Sequence, residues 1–183
     1  MSPPSRRGPK RPGKVAARVK RAGARLPAAK RTAAKRAAAR RAGPVAGLAH
    51  VAIATPDADA LAALLTRALG GEPAGEELLD HGGLRVLFVR LGPVLLELLE
   101  PRAPEHTVAR FLGGRGPGLH HLSLEVADLD ATLDRCREAG MRLIDERPRA
   151  GAHGSRVAFL HPSSLGGVLV ELCEVGPPPA RRG

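Results

Sequence analysis

Two copies of a histidine followed by a distant glutamate occur in this sequence, and both residue types are common metal ligands. His50 precedes Glu97 by 47 residues, and His121 precedes Glu171 by 50 residues. The two histidines lie 71 residues apart, and each glutamate lies within a short apolar run. The repeat predicts two related modules that each supply one imidazole and one carboxylate. A pseudo-twofold axis between them would bring four metal ligands to one place.

The apolar surroundings of the two glutamates favour a cation as their partner. Alternate residues of a strand share a face, so Glu97 projects together with Leu95 and Leu99. A single glutamate of this kind also fits an exposed strand face or a salt bridge, but the coincidence across the repeat favours a metal, because an unpaired buried carboxylate is costly. Two imidazoles and two carboxylates suit Co²⁺, Mn²⁺, Ni²⁺ or Zn²⁺, and an octahedral ion would keep two positions open for water or substrate.

Local signals in the first copy predict a strand followed by a helix. Residues 49–54 form a short apolar run, and Thr55-Pro56-Asp57 supplies an N-cap and an acidic first turn. The helix should continue to about Leu69 and end at Gly70-Gly71, where glycine accepts a left-handed conformation.

The rest of the first copy predicts a hairpin. The apolar runs 84–91 and 94–99 are joined by Gly92-Pro93, and they follow a polar stretch at 72–83 that contains one weak strand at 77–79. Counting that weak strand, the module reads as βαβββ.

The second copy predicts the same order of elements after a flexible glycine-rich connector at 113–118. On its first strand, His120 should point away from His121. The sequence therefore predicts an α+β fold, in which two tandem βαβββ modules form a curled sheet around a metal-binding cleft. The predicted elements are strands at 121–126, 141–144, 156–160 and 167–173 and a helix capped by Asp128 and closed at Gly140.

Composition separates a basic leader from the folded part. Of the 29 Lys and Arg residues, 15 precede Pro44, whereas the first acidic residue is Asp57. The remainder is mildly acidic, with 14 basic against 18 acidic residues. We expect three segments: a disordered basic extension at 1–45, a domain at 46–176 with modules 47–112 and 118–175, and a flexible tail at 177–183.

The leader leaves several interpretations open. It fits a solvated extension, a nucleic-acid-binding tail that neutralises phosphates, an organelle transit peptide, or a start codon assigned too far upstream. Without a secretory signal, a bilayer-length apolar run or a disulfide framework among its two cysteines, the chain is expected in the cytoplasm, or in an organelle matrix if residues 1–44 are a transit peptide.

Several motifs carry a resemblance to a known family. They include the two histidine segments His50-Val51-Ala52-Ile53-Ala54 and Gly118-Leu119-His120-His121, the segments Leu96-Glu97-Leu98-Leu99-Glu100-Pro101, Gly151-Ala152-His153-Gly154 and Phe159-Leu160-His161-Pro162, and the run from Gly166 to Leu172 that contains Glu171. At these residues the sequence resembles the vicinal oxygen chelate superfamily, and within it the methylmalonyl-CoA epimerases, over about 47–175.

The resemblance implies that His50, Glu97, His121 and Glu171 bind one divalent ion, and Co²⁺ is the ion that it favours. It further implies a metal-dependent epimerase that interconverts the (R) and (S) forms of methylmalonyl-CoA by removing an α-proton through a metal-stabilised enolate. Glu171 is the expected acid/base group, with Glu97 as its symmetry mate. A homodimer is expected, and binding of nucleic acid by the tail is not favoured. The expected substrate contacts are Arg147, Arg149, His153 and Ser163.

Two positions depart from the pattern of the family. Some epimerases carry a proposed base, a glutamate, where this chain has Val86, and many relatives have lysine at the position of Ser163. Two alternative functions remain: a glyoxalase I-like lyase or isomerase that acts on a glutathione hemithioacetal, and a non-catalytic small-molecule-binding protein of the same fold. The intact set of four ligands is evidence against a metal-free binding protein.

Overall fold

The structure is a computed structural model that describes residues 43–176. The predicted tails at 1–45 and 177–183 therefore lie outside the described residues, apart from 43–45. Within this range, none of the helices has the length and apolar content to cross a membrane. The helices are α1 (Ala58–Leu69), α2 (Thr107–Arg115) and α3 (Leu129–Glu138). The strands are β1 (Val45–Ala54), β2 (Glu72–Leu79), β3 (Leu84–Leu91), β4 (Val94–Pro101), β5 (Gly118–Val126), β6 (Arg149–Ala150), β7 (Arg156–Leu160) and β8 (Val170–Glu174).

The strands form one mixed sheet whose order reflects the repeat. In the described part of the chain, the sheet order is β2-β3-β4-β1-β5-β8-β7-β6. In both halves the first strand pairs in parallel with the last, as β1 does with β4 and β5 with β8. The antiparallel pair β1–β5 joins the halves at the centre. This curled sheet of tandem βαβββ units confirms the predicted fold class.

Equivalent side chains start the helix of each half. The carboxylate of Asp57 accepts a hydrogen bond from the backbone N–H of Ala60 at 2.8 Å, and that of Asp128 accepts one from Ala131 at 3.0 Å. Both aspartates are N-caps, which satisfy backbone donors that the first helical turn leaves without partners. Helix α1 ends as predicted, with Gly70 in the left-handed region at φ 69°.

A charged network holds each helix against its sheet. In the first half, Arg85 of β3 contacts Asp59 of α1 at 2.7 Å and Glu100 of β4 at 3.2 Å. Glu100 also accepts a hydrogen bond from the backbone N–H of Ala58 at 2.9 Å. The second half repeats this network: Arg156 contacts Asp130 and Glu174, and Glu174 accepts a hydrogen bond from Leu129.

Aliphatic side chains and two phenylalanines fill the interior. One buried cluster surrounds Val86 and Phe88 of β3, and a second packs α3 against β7 and β8 around Leu129 and Leu133. Two of the three phenylalanines, Phe88 and Phe159, therefore lie in the sheet, whereas leucine and valine provide most of the packing, as the composition requires.

Several predicted elements are wrong. Residues 141–144 form no strand, only a single bridge between Leu143 and Leu160. The predicted connector at 113–118 is the end of α2 and the start of β5, because packing of Val108 offsets the cost of two glycines in the last turn. Strand β2 spans eight residues instead of three, and β8 begins at Val170, because Gly166 and Gly167 have positive φ values.

Candidate metal centre

The four predicted ligand residues lie on the four central strands of the sheet. Glu97 is on β4, His50 on β1, His121 on β5 and Glu171 on β8, and these strands are adjacent in that order. All four are buried, with at most 8% of each residue exposed. The fold therefore brings together residues separated by up to 121 positions in sequence.

A β-bulge precedes each of the two histidines. The register of β1 and β5 shifts between Leu48 and His50, and again where Ala52 pairs with His121 and Ile53 pairs with Leu119. The extra residues are thus Ala49 and His120. A bulge changes the direction of the side chains beside it. The prediction that His120 points away from His121 is wrong for this reason: their Nδ1 atoms are 2.9 Å apart.

Three of the four residues form a compact donor cluster. Nε2 of His50 lies 3.2 Å from Nε2 of His121 and 3.4 Å from Oε1 of Glu171. Single ligand atoms of these three residues all lie within 4.8 Å of one another. Two nitrogens bound to one ion at about 2.1 Å lie about 3.0 Å apart at a right angle and about 3.4 Å apart at a tetrahedral angle. The observed nitrogen separation therefore fits a shared divalent ion.

Glu97 contacts the other nitrogen of His50. Its Oε1 lies 3.3 Å from Nδ1 of that ring, so in this arrangement it orients the imidazole. His120 stands in the same relation to His121, through the contact between their Nδ1 atoms. A rotation of the Glu97 side chain would be needed to bring its carboxylate into the three-residue cluster.

Burial without an ion disfavours every charged form at the centre. Desolvation, reinforced by Glu171 and Glu77, raises the pKa of Glu97 to about 8. Desolvation also raises the pKa of Glu171 to about 7, although the Ser123 hydrogen bond and Arg149 act in the opposite direction. It lowers the pKa of His50 to about 4. Neutral imidazoles and buried carboxylates are the set that a divalent cation stabilises.

Among the described residues, no arginine or lysine lies within 4.0 Å of either carboxylate, so no cationic side chain directly balances their charge. The closest polar support is Ser123, whose hydroxyl donates a hydrogen bond to Oε1 of Glu171 at 2.7 Å. The equivalent position in the first half is Ala52, which pairs with Glu97 as Ser123 pairs with Glu171. The two carboxylates therefore differ in how firmly they are held.

The donor cluster lines a cavity of about 850 Å³. Two of the four predicted substrate contacts, Arg149 and His153, also line it. The other two are not among its lining residues. Arg147 lies in a separate depression beside Asp130 and Glu146, and the hydroxyl of Ser163 bonds Nδ1 of His161 at 2.7 Å. The structure thus brings only part of the predicted substrate set to the metal site.

Sequence reasoning missed two residues of the site. Ser123 lies two residues after His121, so the two-residue period of the strand could have placed it on the same face. Glu77 lies on edge strand β2, and its Oε1 contacts Nδ1 of His153 at 2.7 Å. Nothing in the sequence distinguishes Glu77 from its charged neighbours, because only the curl of the sheet brings it to residue 153.

Comparison with known proteins defines the class. The model of the Glyoxalase/Bleomycin resistance protein/Dioxygenase superfamily matches residues 49–159. The chain belongs to this superfamily. The match covers both histidines and Glu97 and ends before Glu171, which the structure brings back beside His50.

Particular relatives are epimerases. The ethylmalonyl-CoA/methylmalonyl-CoA epimerase of Cereibacter sphaeroides is 44% identical over 132 residues, which cover 70% of this chain and 97% of that protein. The mitochondrial methylmalonyl-CoA epimerase of Bos taurus is 40% identical over 135 residues, covering 72% of this chain and 77% of that protein. The crystal structure of methylmalonyl-CoA epimerase from Mycobacterium tuberculosis matches with a TM-score of 0.71 at 38% identity, covering 74% of this chain and 92% of that one.

Proposed function

We propose that the chain is an epimerase that interconverts the (R) and (S) forms of methylmalonyl-CoA. The observation that carries this proposal is the buried cluster of His50, His121 and Glu171, with Glu97 against His50, on the wall of a cavity large enough for an acyl thioester. The relatives named as epimerases of this substrate support the choice of reaction.

We propose that His50, His121, Glu171 and Glu97 hold one divalent ion. Co²⁺ is our first choice, and Mn²⁺, Ni²⁺ or Zn²⁺ also suits two imidazoles and two carboxylates. When bound, such an ion supplies a positive charge at the oxygen where the enolate charge develops. The protein supplies the fixed geometry: paired strands set the positions, and His120 contacts Nδ1 of His121. Glu97 would join the ligands by rotating away from its contact with Nδ1 of His50.

Proton transfer at C2 is assigned to the carboxylates. Glu171 is the first acid/base group, because Ser123 fixes the orientation of its carboxylate within the cavity. Glu97 is its counterpart across the pseudo-twofold axis. We assign binding of the anionic substrate to Arg149, which lies on the cavity wall over the ring of Phe159, 5.1 Å from the ring centroid. Its Nε contacts Asp145 at 3.3 Å, so its remaining guanidinium N–H groups are the ones assigned to the substrate.

Exchange of the C2 proton of methylmalonyl-CoA in D₂O tests the proposal. We expect the full-length protein to exchange deuterium into substrate and to epimerise it, to lose both activities after metal stripping, and to recover them when a divalent ion is restored. The same preparation is assayed with the methylglyoxal–glutathione hemithioacetal. Full exchange by stripped protein would reject the metal mechanism, and isomerisation of the hemithioacetal alone would favour the glyoxalase I-like alternative.

Assembly and location are separate proposals. We propose a homodimer, supported by exposed Leu64 and Leu69 on α1 and tested by light scattering. We propose the cytoplasm as the location, with an organelle matrix as the alternative. A fluorescent fusion with and without residues 1–44 distinguishes the two, and salt-dependent nucleic-acid binding by the same pair tests the tail.

We also propose the domain limits 46–176, with modules 47–112 and 118–175. The region contains every strand of the described sheet except the first residue of β1. Because 15 Lys and Arg residues lie within the first 44 positions, brief trypsin treatment should remove the extension and leave an active core. Cleavage within 47–175 at the same rate would contradict these limits.

A further inference from the structure

Inversion at C2 requires two groups that exchange protons on opposite faces of a planar intermediate, so the cavity should hold an acid/base group besides Glu171. Its described lining contains four histidines beyond the two ligands: His81, His106, His120 and His153. Each is a candidate, because imidazole is the side chain whose ordinary pKa lies nearest to neutral pH.

Hydrogen bonding removes two of these candidates. His120 contacts His121 through Nδ1 and so belongs to the ligand cluster. Both ring nitrogens of His106 are engaged: Nε2 contacts Asp80 at 2.9 Å, and Nδ1 accepts a hydrogen bond from the backbone N–H of Val108 at 3.2 Å. The His120 ring is thus committed to the ligand His121, and the His106 ring keeps no nitrogen available for a substrate proton.

His153 has the arrangement of a general acid/base. Nδ1 contacts Oε1 of Glu77 at 2.7 Å, and among the described residues Nε2 has no hydrogen-bond partner. Glu77 also accepts from the backbone N–H of His153, at 3.1 Å from each oxygen. A carboxylate on one nitrogen fixes the ring and leaves the other nitrogen to exchange protons, as in hydrolytic triads.

The backbone around His153 is held in an uncommon conformation. Its φ of 53° is in the left-handed region, which few non-glycine residues adopt. Gly151 lets the turn close, because a Cβ there would lie 2.5 Å from Oγ of Ser155 and 2.7 Å from Cγ1 of Val157. Strain of this kind is retained at functional positions.

The position of His153 suits the face opposite Glu171. Its ring packs against Phe88 of β3 in a tilted arrangement, with centroids 4.3 Å apart, and Phe88 pairs with Glu97. In the sheet, β4, β1 and β5 lie between β3 and the Glu171 strand β8. His153, packed on β3, and Glu171 on β8 therefore lie on opposite sides of the two histidine strands. The β3 wall carries no acid or base at Val86, which pairs with Glu77.

We propose that His153, positioned by Glu77, is the second acid/base group of the epimerase and takes the role that the repeat alone would give to Glu97; this inference rests on the proposed function. In one direction, the Glu171 carboxylate accepts the C2 proton, the C–H electron pair becomes part of the enolate, and protonated His153 donates a proton from Nε2 to the other face of C2. In the reverse direction, neutral His153 accepts the proton and protonated Glu171 donates one. Exchange with solvent restores both groups.

The test uses the metal-loaded full chain and each pure epimer in D₂O. His153→Asn keeps a residue that tolerates positive φ but removes the basic nitrogen. His81→Asn is the matched control, because His81 occupies the equivalent turn with φ 56°, also lines the cavity, and has no carboxylate partner among the described residues. We expect His153→Asn to lower epimerisation by about 10²-fold or more. The His153→Asn variant should still exchange the C2 proton of one epimer with D₂O. The His81→Asn variant should epimerise and exchange at nearly the wild-type rate.

Two further variants separate a chemical role from a structural one. His153→Gly should regain activity with added imidazole, and Glu77→Gln should lower kcat with little change in KM. Near-normal epimerisation by His153→Asn, equal loss of exchange from both epimers, or equal loss in His81→Asn would overturn the inference. Wild-type protein that exchanges neither epimer would instead reject the proposed function itself.

Discussion

The two edge strands, one at each end of the sheet, carry opposite charges at equivalent positions of the repeat. On β2, Glu77 pairs with Val86, and on β6, Arg149 pairs with Val157, the valine 71 residues later. Burial raises the pKa of both ligand carboxylates; Glu77 adds to the rise for Glu97, whereas Arg149 opposes the rise for Glu171. The duplicated frame is thus the same, whereas the residues that line it have diverged.

The carboxylates show the same divergence at shorter range. Ser123 donates a hydrogen bond to Glu171, but Ala52 offers Glu97 no hydroxyl. Duplication accounts for the paired ligands, because each half repeats the same strand positions. Divergence around them assigns different tasks: a Glu171 fixed by Ser123, and a Glu97 that contacts His50.

The largest effect is expected from the two carboxylates themselves. Glu171→Gln should lower kcat by about 10³-fold or more, because the amide cannot accept the C2 proton. Glu97→Gln keeps an oxygen donor and should lose no more than about tenfold. Steady-state epimerisation and the bound metal content of both variants provide the measurement. Equal losses would show that the halves are functionally equivalent.

Removing the hydroxyl that supports Glu171 should have the next largest effect. Ser123→Ala deletes the 2.7 Å hydrogen bond at a fully buried position and should reduce activity or metal affinity by about 10- to 100-fold. Metal titration beside kcat separates the two possibilities. Activity within twofold of wild type, with unchanged metal affinity, would contradict a supporting role.

The charge at the second end should affect substrate binding. Arg149→Met should raise KM for methylmalonyl-CoA by about tenfold, since a hydrogen bond to a charged group contributes about 1.5–3 kcal/mol. Arg147→Met is the matched control, because Arg147 lies outside the cavity lining and should leave KM unchanged. A larger effect at 147 than at 149 would contradict the assignment.

The smallest effect is expected from a substitution that gives the two halves of the repeat the same residue beside their ligand carboxylates. Ala52→Ser gives Glu97 a potential donor at the position equivalent to Ser123 and should change kcat by only about twofold to fivefold, because second-shell hydrogen bonds tune ligands that are already in place. Combining it with Ser123→Ala tests exchange of roles: activity above that of Ser123→Ala alone would mean that Glu97 can partly replace Glu171.

Repeats and strand patterns predicted the frame of this protein well. The spacing of 71 residues identified the two histidines, and the apolar runs gave β3 and β7 with their observed limits. Residues 72–79 were harder, because an edge strand exposed to solvent carries Glu72, Glu76 and Glu77 and lacks a clear alternation. The last turn of α2 was also missed, because Gly113 and Gly114 have low helix propensity and tertiary packing outweighs that preference there.

The lining of the site depended on contacts that no local pattern encodes. Glu77 reaches His153 because the sheet curls until its first edge meets the turn before β7, across 76 positions of sequence. Because position 86 is a valine, the sequence showed that β3 lacks an acid/base group at this position. It did not show which residue elsewhere takes that role. Such pairings follow from curvature, and curvature follows from the whole sheet.

The pairing of β1 with β5 gives the protein an uneven tolerance to length changes. Side chains of a strand alternate between faces. The loss or gain of a single residue between His50 and Ala54 would therefore reverse the direction of every β1 side chain on one side of that residue. One imidazole would then leave the cavity while the fold stayed largely intact. Natural variation in chain length should therefore occur between the elements of the sheet and be selected against within β1 and β5.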